Sequence, residues 1–125
     1  MISISLFQNA ETKDFAPGEK IFSTGEEGKL MYFVAEGEVD ILVGSIVTET
    51  VRPGGIFGEM ALIDQHPRSA DAVARTQCKL APVDLRRFQF LVSVTPFFAV
   101  QVMSIMADRL RRANELILKS QRASQ

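Results

Sequence analysis

The chain has 125 residues, room for one domain with a real core and too few for two. Hydrophobic residues make up 46% and charged residues 23%, a balance that excludes wholesale disorder, and a formal net charge of −1 excludes general attraction to nucleic acid or anionic membrane. The charge is uneven, with 7 basic and 13 acidic residues up to position 85 and 7 basic and 2 acidic after it, so an anion bound by the first part must be held by local geometry.

The N-terminus, MISISLFQNAE, has no basic region followed by an apolar core and does not read as a secretory signal. From about residue 12 to 83, turn signals recur at APGE, STGEEGK, AEGE, VGS and RPGG. Between them lie the short β-prone runs KIF, LMYFVA, VDILV, IVTETV, ADAVA and CKLAPV. Many short strands at this spacing predict an antiparallel sandwich, barrel or jelly roll. The single cysteine, Cys78, lies in one such run and reads as a buried strand residue; one cysteine allows no internal disulfide and suits a reducing cytoplasm.

At Asp84 the period changes. Asp84 is an N-cap candidate for a short helix, LRRFQFLV, with Leu85, Phe88 and Leu91/Val92 on one face. Thr95 and Pro96 then start a longer helix expected to run to about Lys119, followed by a fraying polar tail. Its residues Met103, Met106, Leu110, Ala113 and Ile117 recur at steps of three and four. That seam either packs on the sheet or forms a short parallel coiled coil with a second chain, and two heptads do not decide between them. No residue from Phe88 to Ala107 is charged, roughly a membrane span in length, but Gln89, Ser93, Thr95, Gln101, Ser104 and the central Pro96 read as two amphipathic helices meeting at a Thr-Pro step.

The stretch GGIFGEMALIDQHPRSADA, residues 54 to 72, carries the chemistry. Gly54 and Gly55 allow a tight turn, and Gly58 allows positive φ or close approach of a ligand to the backbone. Glu59-Met60-Ala61-Leu62-Ile63 has the composition of a helical turn, whose leading N–H groups suit an anion. Arg68 supplies a planar, permanently charged fork, and Ser69 a hydroxyl. Glu59 fits beside a phosphate only if the ligand also offers a hydroxyl, since a carboxylate is a strong acceptor. Phosphate plus sugar hydroxyl is a nucleotide; a Glu59–Arg68 ion pair capping a turn fits the spacing equally well.

The segment FGEMALIDQHPRSADAVA resembles the phosphate-binding cassette of cyclic nucleotide-binding domains. That family is shared by Crp-type bacterial regulators, cyclic-nucleotide-dependent kinase regulatory subunits and cyclic-nucleotide-gated channels. The matching residues are Phe57-Gly58-Glu59, Ala61-Leu62 and Pro67-Arg68-Ser69-Ala70. Upstream, PGEKIFSTGEEGKLMYFVAEGEVDILV is similar to the family's first strands, and Phe88 and Pro96 fall where its last helices begin, so the resemblance covers about residues 12 to 115. It implies one domain over 1–125, mainly β: an antiparallel β-roll, or jelly roll, at about 12–83, then a short helix and a long lid helix over about 84–119. By the same resemblance Arg68 holds the cyclic phosphate, assisted by backbone N–H groups in the Met60–Ala61 turn and at Ser69. Glu59 takes the ribose 2′-hydroxyl and Gly58 borders the sugar. The last helix closes on the base, with Arg109 placed for the purine and Arg112 and Asn114 as further candidates. Kinase-type domains that prefer cGMP carry a threonine where this chain has Ser69, so cAMP is expected over cGMP, which a serine also serves. No other cofactor is implied.

Three departures stand out. Asp71 occupies a position where the family commonly has threonine or another small residue; pointing into the pocket it would lower affinity, and strand alternation leaves its direction open. Gly55 replaces a common acidic residue. Crp-type regulators continue into a helix-turn-helix domain, and nothing after Lys119 here is expected to enter a DNA groove.

The expected function is a cytoplasmic, non-enzymatic regulatory module that binds a cyclic nucleotide and signals through a homodimer or another protein, with no DNA or membrane partner. The alternative is an interaction or dimerisation protein that kept the fold and lost the ligand. A metal-dependent jelly-roll enzyme needs several converging histidines, whereas His66, in the turn QHP, is the one histidine of the chain.

Overall fold

A computed structural model describes residue 2 and residues 4–123. After a 3-10 turn at Ile4–Phe7 come eight strands: β1 (Lys13–Phe15), β2 (Lys20–Phe22), β3 (Met31–Glu36), β4 (Val39–Val43), β5 (Ile46–Val51), β6 (Ile56–Phe57), β7 (Asp71–Ala74) and β8 (Cys78–Val83). A one-turn helix, α1 (Met60–Ile63), interrupts them before β7, and α2 (Leu85–Val94) and α3 (Phe97–Ala123) follow. The strands form two antiparallel four-stranded sheets, ordered β1-β8-β3-β6 and β2-β7-β4-β5. This is the β-roll followed by a short and a long helix that the turn spacing predicts. Strands β1 and β6, three and two residues long, have too little pattern to be read from the sequence.

Alternation explains which side chains enter the core. In β8 (CKLAPV) both faces are covered: Cys78 and Leu80 enter the cluster between the sheets, Ala81 and Val83 the one beneath the helices, and Lys79 and Pro82 are exposed. Between the sheets, Phe15, Phe22, Tyr32, Val34, Val39, Phe57 and Leu80 form one apolar cluster. Tyr32 and Phe57 stack at 5.3 Å, and Phe22 packs on both rings. A second cluster docks the helices: Phe98 and Val102 of α3 and Leu91 of α2 pack with Phe7, Met31, Phe33 and Ile56. Phe7 stacks on Phe33 at 4.2 Å, and Phe98 touches both Phe7 and Phe88.

Asp84 caps α2 as expected, its side chain accepting from the Arg87 N–H at 2.8 Å. Leu91 is buried and Phe88 and Val92 pack against the core, but Leu85, the first residue of the helix, is exposed and takes no part in the core cluster. The long helix continues to Ala123, beyond the expected end at Lys119; residues 124–125 of the expected tail lie outside the described residues. Of its heptad seam only Met106 packs on the core, while Met103, Leu110 and Ile117 are exposed, so the seam does not face the sheet. The face that does dock is Phe98, Val102, Ile105 and Met106, one position round the helix. Among the described residues no single helix is long and apolar enough to cross a membrane; α2 and α3 meet both conditions only as a pair, which is bent by 118°.

These packing positions set an expected contrast in stability. Phe98→Ala removes a fully buried ring between two elements and should cost about 3–5 kcal/mol. Leu85→Ala, at an exposed site, should stay within about 0.5 kcal/mol. Chemical denaturation of the two variants beside the parent checks both.

Candidate functional site

The turn after β5 takes the chain to the β1-β8-β3-β6 sheet, and the Gly58 backbone, at φ +79, then bends it out of β6 into α1. This bend sets Glu59 at the mouth of the roll as the residue preceding α1. Beyond α1 the loop 64–70 carries Arg68 back inward before β7 begins at Asp71. A cavity of about 340 Å³ opens there. Its walls come from Phe22, Ile41, Phe57, the 58–61 turn, Arg68 to Ala70 and Glu49, and its outer side is closed by Arg109, Arg112, Ala113 and Leu116 of α3. Gly58, Glu59, Met60, Ala61, Arg68, Ser69 and Arg109, all singled out in the sequence, line it together. Arg112 does too, while Asn114 does not.

Arg68 is buried, with 8% of its surface exposed. Its guanidinium donates from Nη1 to the Gly58 carbonyl at 2.9 Å and from Nη2 to the Leu30 carbonyl at 2.6 Å. Its plane lies over the Phe22 ring, 3.9 Å from the centroid. Two glycines make this seat: a Cβ on Gly58 would stand 2.8 Å from Arg68 Nη1, and one on Gly28 would stand 2.5 Å from Cζ. Among the described residues no carboxylate pairs with Arg68. Burial consequently pulls its pKa below the usual arginine value, and the more distant charges of Tyr32, Glu26 and Glu59 offset this only in part. With five N–H donors and two protein acceptors, the group retains capacity for an anion.

Arg109 is the opposite case. Its Nε donates to Glu49 Oε1 at 2.7 Å and its Nη2 to Glu49 Oε2 at 3.2 Å, while Nη1 also bonds Glu59 Oε1 and Nη2 the Ile56 carbonyl. Burial alone would lower its pKa, but Glu59 and Glu49 outweigh that and raise it. Four of its five N–H groups are thus taken by two carboxylates and a carbonyl at the Glu59 end of the cavity. The Glu59–Arg68 ion pair that the spacing allowed does not form. Glu59, 3% exposed, keeps one oxygen, Oε2, buried with no hydrogen-bond partner. An orphaned carboxylate oxygen in a cavity wall has the chemistry to accept from a ligand hydroxyl.

Asp71 points away from the cavity. Its Oδ1 accepts from the Thr24 N–H at 2.6 Å and the Thr24 hydroxyl at 2.9 Å, and Lys20 Nζ lies 4.0 Å from Oδ2. The Thr24 amide and hydroxyl hold its carboxyl below the usual range. His66 is an exposed loop residue, as read from its turn, bonding within the loop to Asp64. Phe22, Ile41, Thr48 and Glu49 were not singled out in the sequence as lining residues. They are ordinary strand residues, and only the folding of β2, β4 and β5 over the cassette brings them to it.

Residues 12–94 match the family model described as the cyclic nucleotide-binding domain. A cAMP-dependent protein kinase regulatory subunit of Eremothecium gossypii is 36% identical over 84 residues, 67% of this chain and 18% of its own length. The cyclic AMP receptor protein of Thermus thermophilus is 33% identical over 118 residues, 90% of this chain and 53% of its own. The solved structure of the Thermus thermophilus catabolite activator protein superposes with a TM-score of 0.79 at 31% identity, covering 94% of this chain and 58% of that one. The chain thus spans between about a fifth and a half of these curated relatives. By name they are regulators, a kinase regulatory subunit and a receptor protein, and not enzymes.

The Arg109 network gives a direct test. Arg109→Ala leaves Glu59 buried and without its cation and should destabilise the fold by about 3 kcal/mol. Adding Glu59→Gln should recover much of that loss, since a neutral amide needs no counterion. Urea unfolding of the single and double variants measures the difference.

Proposed function

We propose that this chain, which belongs to the cyclic nucleotide-binding domain family, is a single regulatory domain that takes a cyclic nucleotide in the cavity between the cassette and α3. The observation that carries the reading is the pair of incomplete groups in one cavity wall. Arg68 is a buried cation with no carboxylate partner, and Glu59 is a buried carboxylate with one acceptor unfilled. A ligand with a phosphate near a sugar hydroxyl completes both. Arg68 would hold the cyclic phosphate, with the first amides of α1 at Met60 and Ala61 and the Ser69 hydroxyl assisting; these amides lie where a helix has no internal acceptor. Glu59 Oε2 would accept the 2′-hydroxyl where Gly58 borders the sugar. Arg109 would act at the ribose end, through Glu59, and the base would lie toward Arg112, Ala113 and Leu116 of α3.

We take cAMP as the preferred nucleotide over cGMP, because Ser69 stands where the cassette of cGMP-preferring kinase domains has threonine, and because both curated relatives are named for cAMP. The reading of a fold that lost its ligand would be favoured by Arg68 paired to Glu59 or Asp71, and neither pair is present among the described ion pairs. Output would pass through α3. From Arg111 to Ala123 every described residue of this helix is exposed, including Leu116, Ile117 and Leu118. Isolated helical turns of this length are marginal in water, so a partner on the exposed seam Met103–Leu110–Ile117 would stabilise them. We infer a second copy of the chain as that partner, and a cytoplasmic setting with no DNA or membrane ligand.

Calorimetric titration of folded, nucleotide-free protein should give saturable binding, tighter for cAMP than for cGMP; no binding of either would refute the assignment. Arg68→Ala should weaken cAMP by roughly 100-fold, on the order of 3 kcal/mol for a buried charge contact. For the dimer, sedimentation should show two chains for the parent and one for Leu110→Asp, whose exposed site leaves the monomer core untouched. A monomeric parent at micromolar concentration would refute it.

A further inference from the structure

We propose that Asp71, with Thr24, is a positioning residue for Arg68: its carboxylate clasps the 23–28 loop to the cassette and thereby fixes the seat of the guanidinium. The proposal rests on the reading of Arg68 as the anion-binding group and adds to it a residue whose sequence position suggested interference.

The pairing of β2 with β7 shifts register between Lys20 and Phe22 and ends with Phe22 opposite Ala72. Beyond that point β2 runs into the STGEEGK loop, while β7 keeps only its β4 partner, with Asp71 opposite Leu42, and the segment before it turns inward to Arg68. Three contacts hold them together after the ladder stops. Asp71 Oδ1 takes both the N–H and the hydroxyl of Thr24, at 2.6 and 2.9 Å. The Gly25 N–H donates to the Arg68 carbonyl at 2.8 Å, and the Arg68 N–H donates to the Glu26 carbonyl at 2.8 Å. The side chain of Asp71 thus stands in for the backbone acceptor that a continuing strand would have supplied. Two residues after Glu26 comes Gly28, whose bare Cα makes room for Arg68 Cζ, and then Leu30, whose carbonyl accepts from Nη2. Displacing this loop therefore moves one acceptor of the guanidinium and the wall behind it.

The direction of Asp71 also decides the sign of its effect. A carboxylate aimed into the cavity would repel a phosphate, so its removal would tighten binding. Asp71 is not among the cavity-lining residues, and its nearest cation is Lys20. Its loss should weaken binding.

The test uses the full chain with four variants: Asp71→Ala, Asp71→Asn, Thr24→Val, and Asp71→Ala combined with Thr24→Val. Two readouts are taken, cAMP affinity by calorimetry and amide hydrogen exchange of the ligand-free protein. Asp71→Ala should lose roughly tenfold in affinity, the scale of two hydrogen bonds in a partly exposed site. It should also speed exchange at the Gly25 and Arg68 amides while the β8 amides keep their protection. Asp71→Asn, which retains the Oδ1 acceptor, should restore most of both. The double variant should lose less than the sum of the single losses, since both act on one contact. Affinity for Asp71→Ala equal to or above the parent's would overturn the proposal, as would a fully impaired Asp71→Asn. If the parent binds neither cAMP nor cGMP, the nucleotide reading fails by itself. The clasp is then judged on exchange alone, and unchanged Gly25 and Arg68 rates in Asp71→Ala would overturn it.

Discussion

A guanidinium removed from water keeps its charge at any ordinary pH, so its burial is unfavourable unless acceptors or a counterion surround it. Arg68 is in that position. Two backbone carbonyls and the face of Phe22 meet it, and no carboxylate does. The surrounding fold is arranged to allow this. Phe22, Tyr32 and Phe57 form a rigid aromatic floor, Gly28 and Gly58 leave space on either side, and the loop of residues 23–28 covers the back. Apolar burial in the two clusters supplies the stability that tolerates one unneutralised cation near the cavity. The consequence is a site whose charge balance improves when an anion enters.

Arg109 shows what the same group does when counterions are present. It carries two carboxylates and a carbonyl, and those contacts tie α3 to β5, to β6 and to the residue before α1. The uneven charge of the chain has its structural meaning here: the acidic roll meets the basic helix at Glu49, Glu59, Arg109 and Arg112. The rest of the basic helix face is exposed, where its charges are solvated and contribute little.

Much of this was legible in the sequence for identifiable reasons. Turn residues and β-prone composition marked six of the strands, the three-residue β2 by its flanking turns APGE and STGEEGK and not by a period. Asp84 and the Thr-Pro step marked the helix starts, because caps are local chemistry. Gly58, Glu59 and Arg68 stood out because a glycine-led turn, an acid and an arginine within ten residues have few shared uses. What was not legible depends on distance in the chain. Glu49 lies sixty residues from Arg109, and nothing in IVTETV distinguishes a carboxylate that anchors a helix from one facing solvent. The orientation of Asp71 is set by Thr24, forty-seven residues away, and a strand's period does not say which of its faces meets such a partner. The exposed side of the α3 seam was likewise open, because a heptad gives the spacing of apolar residues and not the identity of the surface they meet.

These features constrain how a bound nucleotide could act on α3. A ligand shifts a conformational equilibrium only by the difference in its affinity for the two states, so it must touch something the helix also touches. Glu59 is such a group: one oxygen binds Arg109 of the helix and the other is unfilled. On the proposed reading, a hydroxyl donated to the free oxygen would leave the Arg109 contact in place and withdraw part of the charge that holds it. Glu49, on β5 of the other sheet, binds the same arginine through Nε and Nη2. The helix is thus held by two carboxylates of which one is shared with the cavity.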